Sequence, residues 1–241
     1  MCPGRHPPVR PSGYRHNGFF PGPQDPDGRK SGWGHSLYRH MELRYGTDQD
    51  IDKPKMHGMR KTMKAVIFVK RSVRFPGKHS VLVNGLGLTE GIARKLSGSG
   101  LFDETIIFSR DRDFESTYGR IVVDDSGGII LDSVIMAVQK FGDIFAFAGD
   151  MPFICMHIVS AMLLKFDGKS LCPRSSNNVL QTLHCIYAKR DLKALKEYAG
   201  NGGKSMHGFI EGNGIMMDYE AKDEICFDNI NFPSDLVRLN L

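Results

Sequence analysis

The stretch FAFAGDMPFI, residues 145–154, contains the feature on which the fold prediction depends. An apolar run ends at a single carboxylate, Asp150, and Pro152 follows two residues later. A run without alternating polar residues is typical of a strand that is covered on both faces, as strands of parallel sheets are. A carboxylate placed directly after it needs solvent, an ionic partner or a bound cation, because burying an unpaired charge is costly.

The same alternation of apolar runs and helical patterns continues through the chain from residue 63 onward. The sequence predicts strands at 64–70, 104–109, 119–124, 143–150, 180–188 and 224–230, and helices at 89–100, 131–141, 155–166, 190–200 and 233–239. Apolar strands separated by helices predict an α/β fold with a mostly parallel sheet that is covered on both faces. In such sheets ligands bind beyond the carboxyl ends of the strands.

Two roles for Asp150 follow from its position at the end of a predicted strand. One is a cation ligand at the carboxyl edge of the sheet, where a bound substrate would lie. The other is the N-cap of a helix that begins near Pro152, since proline is favoured at an early helical position. The two roles are compatible, and the spacing alone slightly favours the cap.

A basic loop, KRSVRFPGKH at residues 70–79, directly follows the first predicted strand. Pro76 and Gly77 shape its turn, and its basic or imidazole side chains belong to Lys70, Arg71, Arg74, Lys78 and His79. Cations and exposed backbone N–H groups in such a loop suit a triphosphate. The alternative is a solvated basic loop, but its place at the carboxyl end of a strand favours phosphate.

Two glycine-rich segments do not qualify as nucleotide-binding motifs. GNGGKS, residues 200–205, lacks the upstream glycine of a P-loop, because position 198 is Tyr198, and it follows a helix instead of a strand. GLGLTEG, residues 85–91, is one residue too long for the dinucleotide fingerprint. The first segment predicts a helix stop and the second predicts a turn into a helix.

Three segments together resemble the molybdenum cofactor guanylyltransferases: AFAGDMPFI (146–154), LQTLHCIYAKRDLKAL (180–195) and FDNINFPSDL (227–236). The resemblance extends over about residues 63–241. It implies the three-layer α/β/α sandwich of the nucleotide-diphospho-sugar transferases. It also implies an enzyme that transfers GMP from GTP to the terminal phosphate of molybdopterin, a phosphorylated small-molecule acceptor, and releases pyrophosphate.

The resemblance also implies roles for individual residues. Asp150 would hold Mg²⁺, with Mn²⁺ as an alternative, and Asn231 would lie near the same metal. Lys78 and Arg74 would stabilise the negative charge that develops on the departing pyrophosphate. The nucleotide-binding positions that it implies are Ile67, Phe68, Val69, Ser72, Lys78, Ser109, Asp124 and Asp150.

Residues outside these motifs have simpler interpretations. Taken alone, Asp228, Asn229 and Asn231 predict an Asx turn before Pro233. Together with Asp150, they favour the metal site. Gln181 and His184 either face the second substrate or are polar residues of the core, and for His184 the core is favoured.

Two motifs of the family are altered here and leave the substrate open. Val69 and Lys70 replace a glycine pair of the first loop, and their Cβ atoms restrict the backbone. Residues 72–78 are instead similar to the loop of cytidylyltransferases that make CMP-sugars. Residues 128–132 lack the proline and second glycine that help recognise guanine. The alternatives are therefore a cytidylyltransferase for an acidic sugar, a guanylyltransferase of cobamide synthesis, and an inactive nucleotide-binding homologue.

Composition separates residues 1–58 from the rest of the 241-residue chain. This segment contains eight of the 12 prolines and has 9 Lys/Arg against 6 Asp/Glu, which predicts a disordered basic extension. Residues 59–241 have 23 Lys/Arg against 21 Asp/Glu and form the predicted nucleotidyltransferase domain. Because this domain is nearly neutral, it does not indicate a nucleic-acid-binding face.

The remaining composition is typical of a cytoplasmic protein, and the enzyme that the resemblance implies is expected to be a monomer or weak homo-oligomer. No apolar run reaches the 18 residues typical of a membrane span, and the N-terminus has no signal-peptide core. The five cysteines are scattered, odd in number and never in a CxxC pair. This pattern predicts reduced thiols and argues against a disulfide framework or a zinc site.

Overall fold

The computed structural model describes residues 63–175, 177–239 and 241, and the predicted extension, residues 1–58, lies outside them. The strands, in chain order, are β1 (Lys64–Val69), β2 (Leu82–Val83), β3 (Leu86–Gly87), β4 (Glu104–Ser109), β5 (Arg120–Val123), β6 (Ile144–Ala148), β7 (Leu171–Arg174), β8 (His184–Tyr187) and β9 (Ile215–Asp218). The short strands β2 and β3 pair with each other, and the other seven form one sheet.

Among the described residues, six α-helices connect or flank these strands: α1 (Leu88–Gly98), α2 (Ile130–Phe141), α3 (Met156–Lys165), α4 (Leu192–Gly200), α5 (Met206–Asn213) and α6 (Pro233–Arg238). Short 3₁₀ helices cover Lys78–Ser80, Lys189–Asp191 and Ala221–Phe227. The first glycine-rich segment is a helix stop as predicted, since α4 ends at Gly200, whereas in the second the turn at residues 84–85 leads through the short strand β3 into α1 at Leu88. In the described part of the chain, no helix is long and apolar enough to cross a membrane.

The large sheet has the strand order β5-β4-β1-β6-β8-β7-β9. Strands β5, β4, β1 and β6 are parallel to one another, and β8 pairs antiparallel with both β6 and β7. β1 therefore lies between β4 and β6, and the carboxyl ends of these parallel strands share one edge of the sheet. The predicted mostly parallel sheet is confirmed.

Helices cover both faces of this sheet. Along β1, Ala65 and Ile67 belong to the core on the side of α1 and α3, whereas Val66 and Phe68 belong to the core on the side of α2, α4 and α5. This division follows from the alternation of side chains along a strand. Since both faces are apolar, the strand reads as a continuous apolar run, and the predicted three-layer α/β/α sandwich is confirmed.

Two local predictions are wrong. Residues 224–230 are not a strand, because Ala221–Phe227 forms a 3₁₀ helix whose Cys226 and Phe227 side chains are buried in the core. A short apolar run cannot be assigned to strand or helix by periodicity alone. The helix after β6 begins at Met156 with Cys155 at its N-cap, so Asp150 does not cap it.

His184 is a core residue, as the sequence favoured. Its ring is fully buried and meets the rings of Phe145, Phe147 and Phe227 edge-on. Among the described residues, neither ring nitrogen has a hydrogen-bond partner. Burial lowers the pKa of His184 from 6.5 to about 3, because a positive charge would be poorly solvated there.

This lowered pKa predicts a loss of stability in mild acid that His184→Leu removes. The unfolded chain binds a proton at this histidine below its ordinary pKa of 6.5, whereas the folded chain does so only near 3. Stability therefore falls as the pH drops from 6.5 toward 3, and the histidine accounts for about 2 kcal/mol of loss at pH 5. Urea unfolding at pH 7.5 and pH 5 measures this difference.

Exposed His207 provides the matched control, because His207→Leu should leave the difference between the two pH values unchanged. The leucine at position 184 also removes two unsatisfied nitrogens, so we expect a more stable protein at both pH values. An unchanged pH dependence in the His184→Leu variant would show that the ring is not buried as described.

Candidate active site

The carboxyl ends of β1, β4, β5 and β6 open onto a cavity of about 590 Å³. Its wall includes Lys70, Arg110 and Asp124, which directly follow β1, β4 and β5, and Asp150, two residues after the end of β6. This is the edge at which ligands bind in open α/β sheets. Asp150, the carboxylate that follows the apolar run of β6, therefore lies in a concave site.

An ion pair joins the loop after β1 to the end of β6. Gly77 has a φ of 73°, a conformation that glycine adopts without strain, and the chain then turns into the 3₁₀ helix that carries Lys78. The Lys78 Nζ atom lies 2.5 Å from Asp150 Oδ2 and 3.4 Å from the carbonyl oxygen of Ile230. The side chains of Lys78 and Asp150 are only 8% and 18% exposed. The ammonium group therefore balances a carboxylate that is largely shielded from solvent.

His79 holds the same loop against the ends of β1 and β6. Its Nε2 atom lies 2.9 Å from the Lys70 carbonyl oxygen, and its Nδ1 atom lies 3.0 Å from Thr89 Oγ1 and 3.2 Å from the Gly149 carbonyl oxygen. Thr89, fully buried on α1, donates to the same Gly149 carbonyl at 2.9 Å. His79 therefore holds the loop in place, a role that its grouping with the loop cations did not predict.

Gly149 lets the end of β6 approach β1 closely. A Cβ at this position would lie 3.0 Å from Val69 Cγ2 and 3.2 Å from the Phe68 carbonyl oxygen. The Gly149 N–H donates to that carbonyl at 3.1 Å, which continues the pairing of the two strands by one residue. Asp150 is thereby placed beside the loop that carries Lys78.

Asn231 reaches the cavity on a backbone that is anchored on both sides. The Ile230 N–H donates to the Asp150 carbonyl oxygen at 2.9 Å. Asp235 Oδ2 accepts from the N–H groups of Asn231 and Phe232 at 2.8 and 2.9 Å, and these bonds hold the pKa of Asp235 below its usual value. Asn231 itself is exposed and lines the cavity wall.

Asp150 and Asn231 offer oxygen ligands of the kind that a hard divalent cation prefers. Among the described residues, no group of three or more His, Cys, Asp or Glu could hold a metal ion. One carboxylate and one amide do not form a complete metal cage. They fit an ion such as Mg²⁺, which commonly takes one or two carboxylates from the protein and further ligands from substrate phosphates and water.

A second ion pair forms the other end of the cavity, after β4 and β5. Arg110 Nε donates to Asp124 Oδ2 at 2.9 Å, and Ser133 Oγ, from α2, donates to the same oxygen at 2.6 Å. Burial alone would raise the pKa of Asp124, but hydrogen bonds from Ser126, Ser133 and Arg110 outweigh it and hold that pKa below its ordinary value of 3.8. Asp124 is therefore a fixed anion.

Most of the predicted site residues meet in this cavity, and two do not. Ile67 lies in the core on the side of α1, and the fully buried Ser109 accepts a hydrogen bond from the Asp111 N–H through its hydroxyl. Arg110 and Ser133 line the cavity without having been predicted. The predicted residues that line it are Phe68, Val69, Ser72, Arg74, Lys78, Asp124, Asp150 and Asn231.

A disulfide between Cys155 and Cys226 corrects the prediction of reduced thiols. Its Cα atoms lie 5.4 Å apart, and it joins the segment after Asp150 to the segment before Asn231. The two cysteines are 71 residues apart, and nothing in their spacing indicates that they pair. Cys172 and Cys185 are buried free thiols, as predicted, and Cys2 lies outside the described residues.

Reduction of this disulfide should destabilise the protein. We expect dithiothreitol to lower the free energy of unfolding by about 2–4 kcal/mol, because the open chain regains conformational entropy in the unfolded state. Urea unfolding with and without the reductant measures the effect. The Cys155→Ala/Cys226→Ala variant should show no such sensitivity, and equal sensitivity in variant and wild type would contradict the assignment.

Comparison with known proteins identifies the family of this chain. Residues 71–213, more than half of the chain, match the MobA-like NTP transferase domain family. A relative from Thermococcus gammatolerans is 30% identical over 187 residues, which cover 73% of this chain and 97% of the relative. That protein carries the name "Probable molybdenum cofactor guanylyltransferase".

Solved structures share the fold at lower identity. The molybdopterin-guanine dinucleotide biosynthesis protein A of Archaeoglobus fulgidus is 21% identical with a TM-score of 0.58, over 73% of this chain and 96% of that one. The 2-C-methyl-D-erythritol 4-phosphate cytidylyltransferase of Francisella tularensis is 16% identical with a TM-score of 0.59, over 74% of this chain and 99% of that one. The two similarities establish a common architecture.

Proposed function

Because the chain belongs to the MobA-like NTP transferase family, we propose that it transfers GMP from GTP to molybdopterin and releases pyrophosphate. The name of the Thermococcus relative supports this choice of nucleotide and acceptor. The family generally uses a divalent metal, and the proposal assigns Mg²⁺, with Mn²⁺ as an alternative. The proposal also places the enzyme in the cytoplasm, as a monomer or weak homo-oligomer, but the Cys155–Cys226 disulfide means that the cysteines no longer support this compartment.

The observation that carries the proposal is the contact between Lys78 and Asp150 at the adjoining ends of β1 and β6. In nucleotidyl transfer, an oxygen of the acceptor phosphate attacks the α-phosphorus while pyrophosphate departs. Such a reaction needs positioning and charge neutralisation more than covalent help from the protein. A lysine beside a carboxylate supplies a cation for the phosphates and an oxygen ligand for a metal.

The two charged ends of the cavity suggest how the nucleotide lies. Arg110 and Asp124 follow β4 and β5, whereas Lys78 lies in the loop after β1 and Asp150 follows β6. Since neighbouring strands are about 4.8 Å apart, these ends are separated by roughly 10–15 Å, a distance that a nucleoside triphosphate can span. We assign the triphosphate to the end with Lys78 and the nucleoside to the end with Asp124.

The first loop and the metal ligands then have distinct roles. Asp150 and Asn231 would hold the cation, which supplies positive charge at the α-phosphate. Lys78, released from Asp150 when nucleotide binds, would contact the β- and γ-phosphates together with Arg74. The remaining nucleotide contacts that the proposal retains are Phe68, Val69 and Ser72, since Ile67 and Ser109 do not line the cavity.

A cytidylyltransferase is the second candidate, favoured by the similarity of residues 72–78 to the loop of enzymes that make CMP-sugars. The shared fold with a cytidylyltransferase does not choose between the two, because one architecture supports different nucleotides. Pyrophosphate release from CTP with an acidic sugar, and none from GTP with molybdopterin, would favour this candidate. Nucleotide binding without turnover of either would favour an inactive homologue.

The proposal predicts that Asp150→Asn slows pyrophosphate release from GTP and molybdopterin by about 100-fold or more, because it removes the charged metal ligand. The full chain is assayed over a range of Mg²⁺ concentrations, and the variant should need more Mg²⁺ for half-maximal rate. The control is Asp125→Asn, since Asp125 is exposed and its ion pair with a described residue is the one with Arg112. A variant at position 150 with the wild-type rate and Mg²⁺ dependence would refute the assignment.

The domain boundary leads to a separate prediction. If residues 59–241 form the whole nucleotidyltransferase domain, deletion of residues 1–58 should leave the melting temperature and the rate of pyrophosphate release unchanged. Both are measured on the full chain and on the truncated chain under the same conditions. Loss of folding or of activity in the truncated chain would assign the extension a role in the domain.

A further inference from the structure

Arg110 is the cation at the nucleoside end of the cavity, and the protein holds it in place. Its Nε atom donates to Asp124 Oδ2 at 2.9 Å, and its Nη2 atom donates to Ser126 Oγ at 3.0 Å and to Ser133 Oγ at 3.1 Å. Its side chain is only 23% exposed. Among the described residues, Nη1 has no hydrogen-bond partner, so this part of the guanidinium group can bind a ligand.

Asp124 is occupied by donors from the protein itself. Its Oδ2 atom accepts from Arg110 and from Ser133 Oγ, and its Oδ1 atom accepts from the Ser126 N–H at 3.0 Å. The carboxylate is 5% exposed and remains ionised. Its main effect is therefore to orient the guanidinium group, and Arg110 is left as the polar group that can recognise a base.

The surroundings of Arg110 suit the faces of a purine. Phe68, Phe108 and Ile130 line the same cavity, and Ile130 begins the helix that supplies Ser133. Apolar walls with a few fixed polar groups are typical of sites for small ligands. The walls can hold a flat base by burial, and the polar group then decides which base is accepted.

An arginine can only donate hydrogen bonds, so it recognises acceptors. Guanine has the acceptors O6 and N7 on one edge, whereas adenine replaces O6 with an amino group, which is a donor. Resting on the proposed function, we propose that Arg110 selects guanine by donating from Nη1 to the 6-oxygen of the base. Asp124, Ser126 and Ser133 are positioning residues that keep the guanidinium group in this orientation.

ITP and ATP are the two nucleotides compared. Their bases differ only at the 6-position, which is an oxygen in ITP and an amino group in ATP, and in the proton on the neighbouring N1. Dissociation constants for GTP, ITP, ATP and CTP are measured calorimetrically on the full chain with Mg²⁺ and without acceptor. We expect wild-type protein to bind ITP at least about tenfold more tightly than ATP, as one discriminating base contact allows. Arg110→Met should bring the ITP-to-ATP ratio close to one.

Two further variants separate recognition from folding and charge. Arg110→Lys keeps a cation beside Asp124 but not the fixed planar group, so it should fold and still lose most of the preference for ITP. If Arg110→Met does not fold, the ITP-to-ATP ratio of Arg110→Lys decides the result. Arg112→Met is the control, because Arg112 is exposed and pairs with Asp125. The ratio of GTP to ITP binding reports the 2-amino group and should stay the same in all variants.

The outcomes distinguish this inference from the proposed function. If wild type prefers GTP and ITP over ATP while both Arg110 variants keep that preference, the proposed function stands and Arg110 is not the selecting residue. If wild type prefers CTP, or binds none of the four nucleotides, both the proposed function and the role of Arg110 are wrong. Loss of the 6-position preference in the Arg110 variants alone supports the inference.

Discussion

The ion pair between Lys78 and Asp150 joins the loop after β1 to the end of β6, and the other elements of the site are arranged around it. Gly77 allows the turn that carries Lys78 inward, and Gly149 lets β6 end close beside β1. The His79 ring contacts the backbone carbonyl oxygens of Lys70 and Gly149, and so holds the two segments together. Each of these little-exposed charges needs an opposite charge beside it, because either alone would be a buried, unpaired charge.

The predictable features are those in which burial determines the residue types of a short stretch of sequence. A strand covered on both faces must be apolar throughout, so β1, β4 and β6 were found, and with them the edge where Asp150 lies. Side-chain direction was harder to predict, since the family resemblance locates a loop without showing which side chains face the cavity. Ile67 and Ser109 were therefore assigned to the nucleotide, whereas Arg110, the neighbour of Ser109, was not.

Features that depend on contacts between distant segments could not be read from the sequence. The partner of Cys155 is 71 residues away, and no local pattern points to it. β7 was missed because it is four residues long and contains Pro173, which argues against a strand inside a sheet. The 3₁₀ helix at Ala221–Phe227 shows the opposite error, since its apolar residues pack against the core without forming a strand.

Thermal unfolding of the full chain with GTP shows whether Lys78 and Asp150 form the triphosphate end of a metal-dependent guanylyl site. At about 100 times its dissociation constant, a bound nucleotide adds roughly 2.7 kcal/mol of stability. We predict a rise in melting temperature that requires GTP and Mg²⁺ together and that Mg²⁺ alone does not produce. An equal rise without Mg²⁺, or no rise with GTP under either condition, would rule out this role for Lys78 and Asp150.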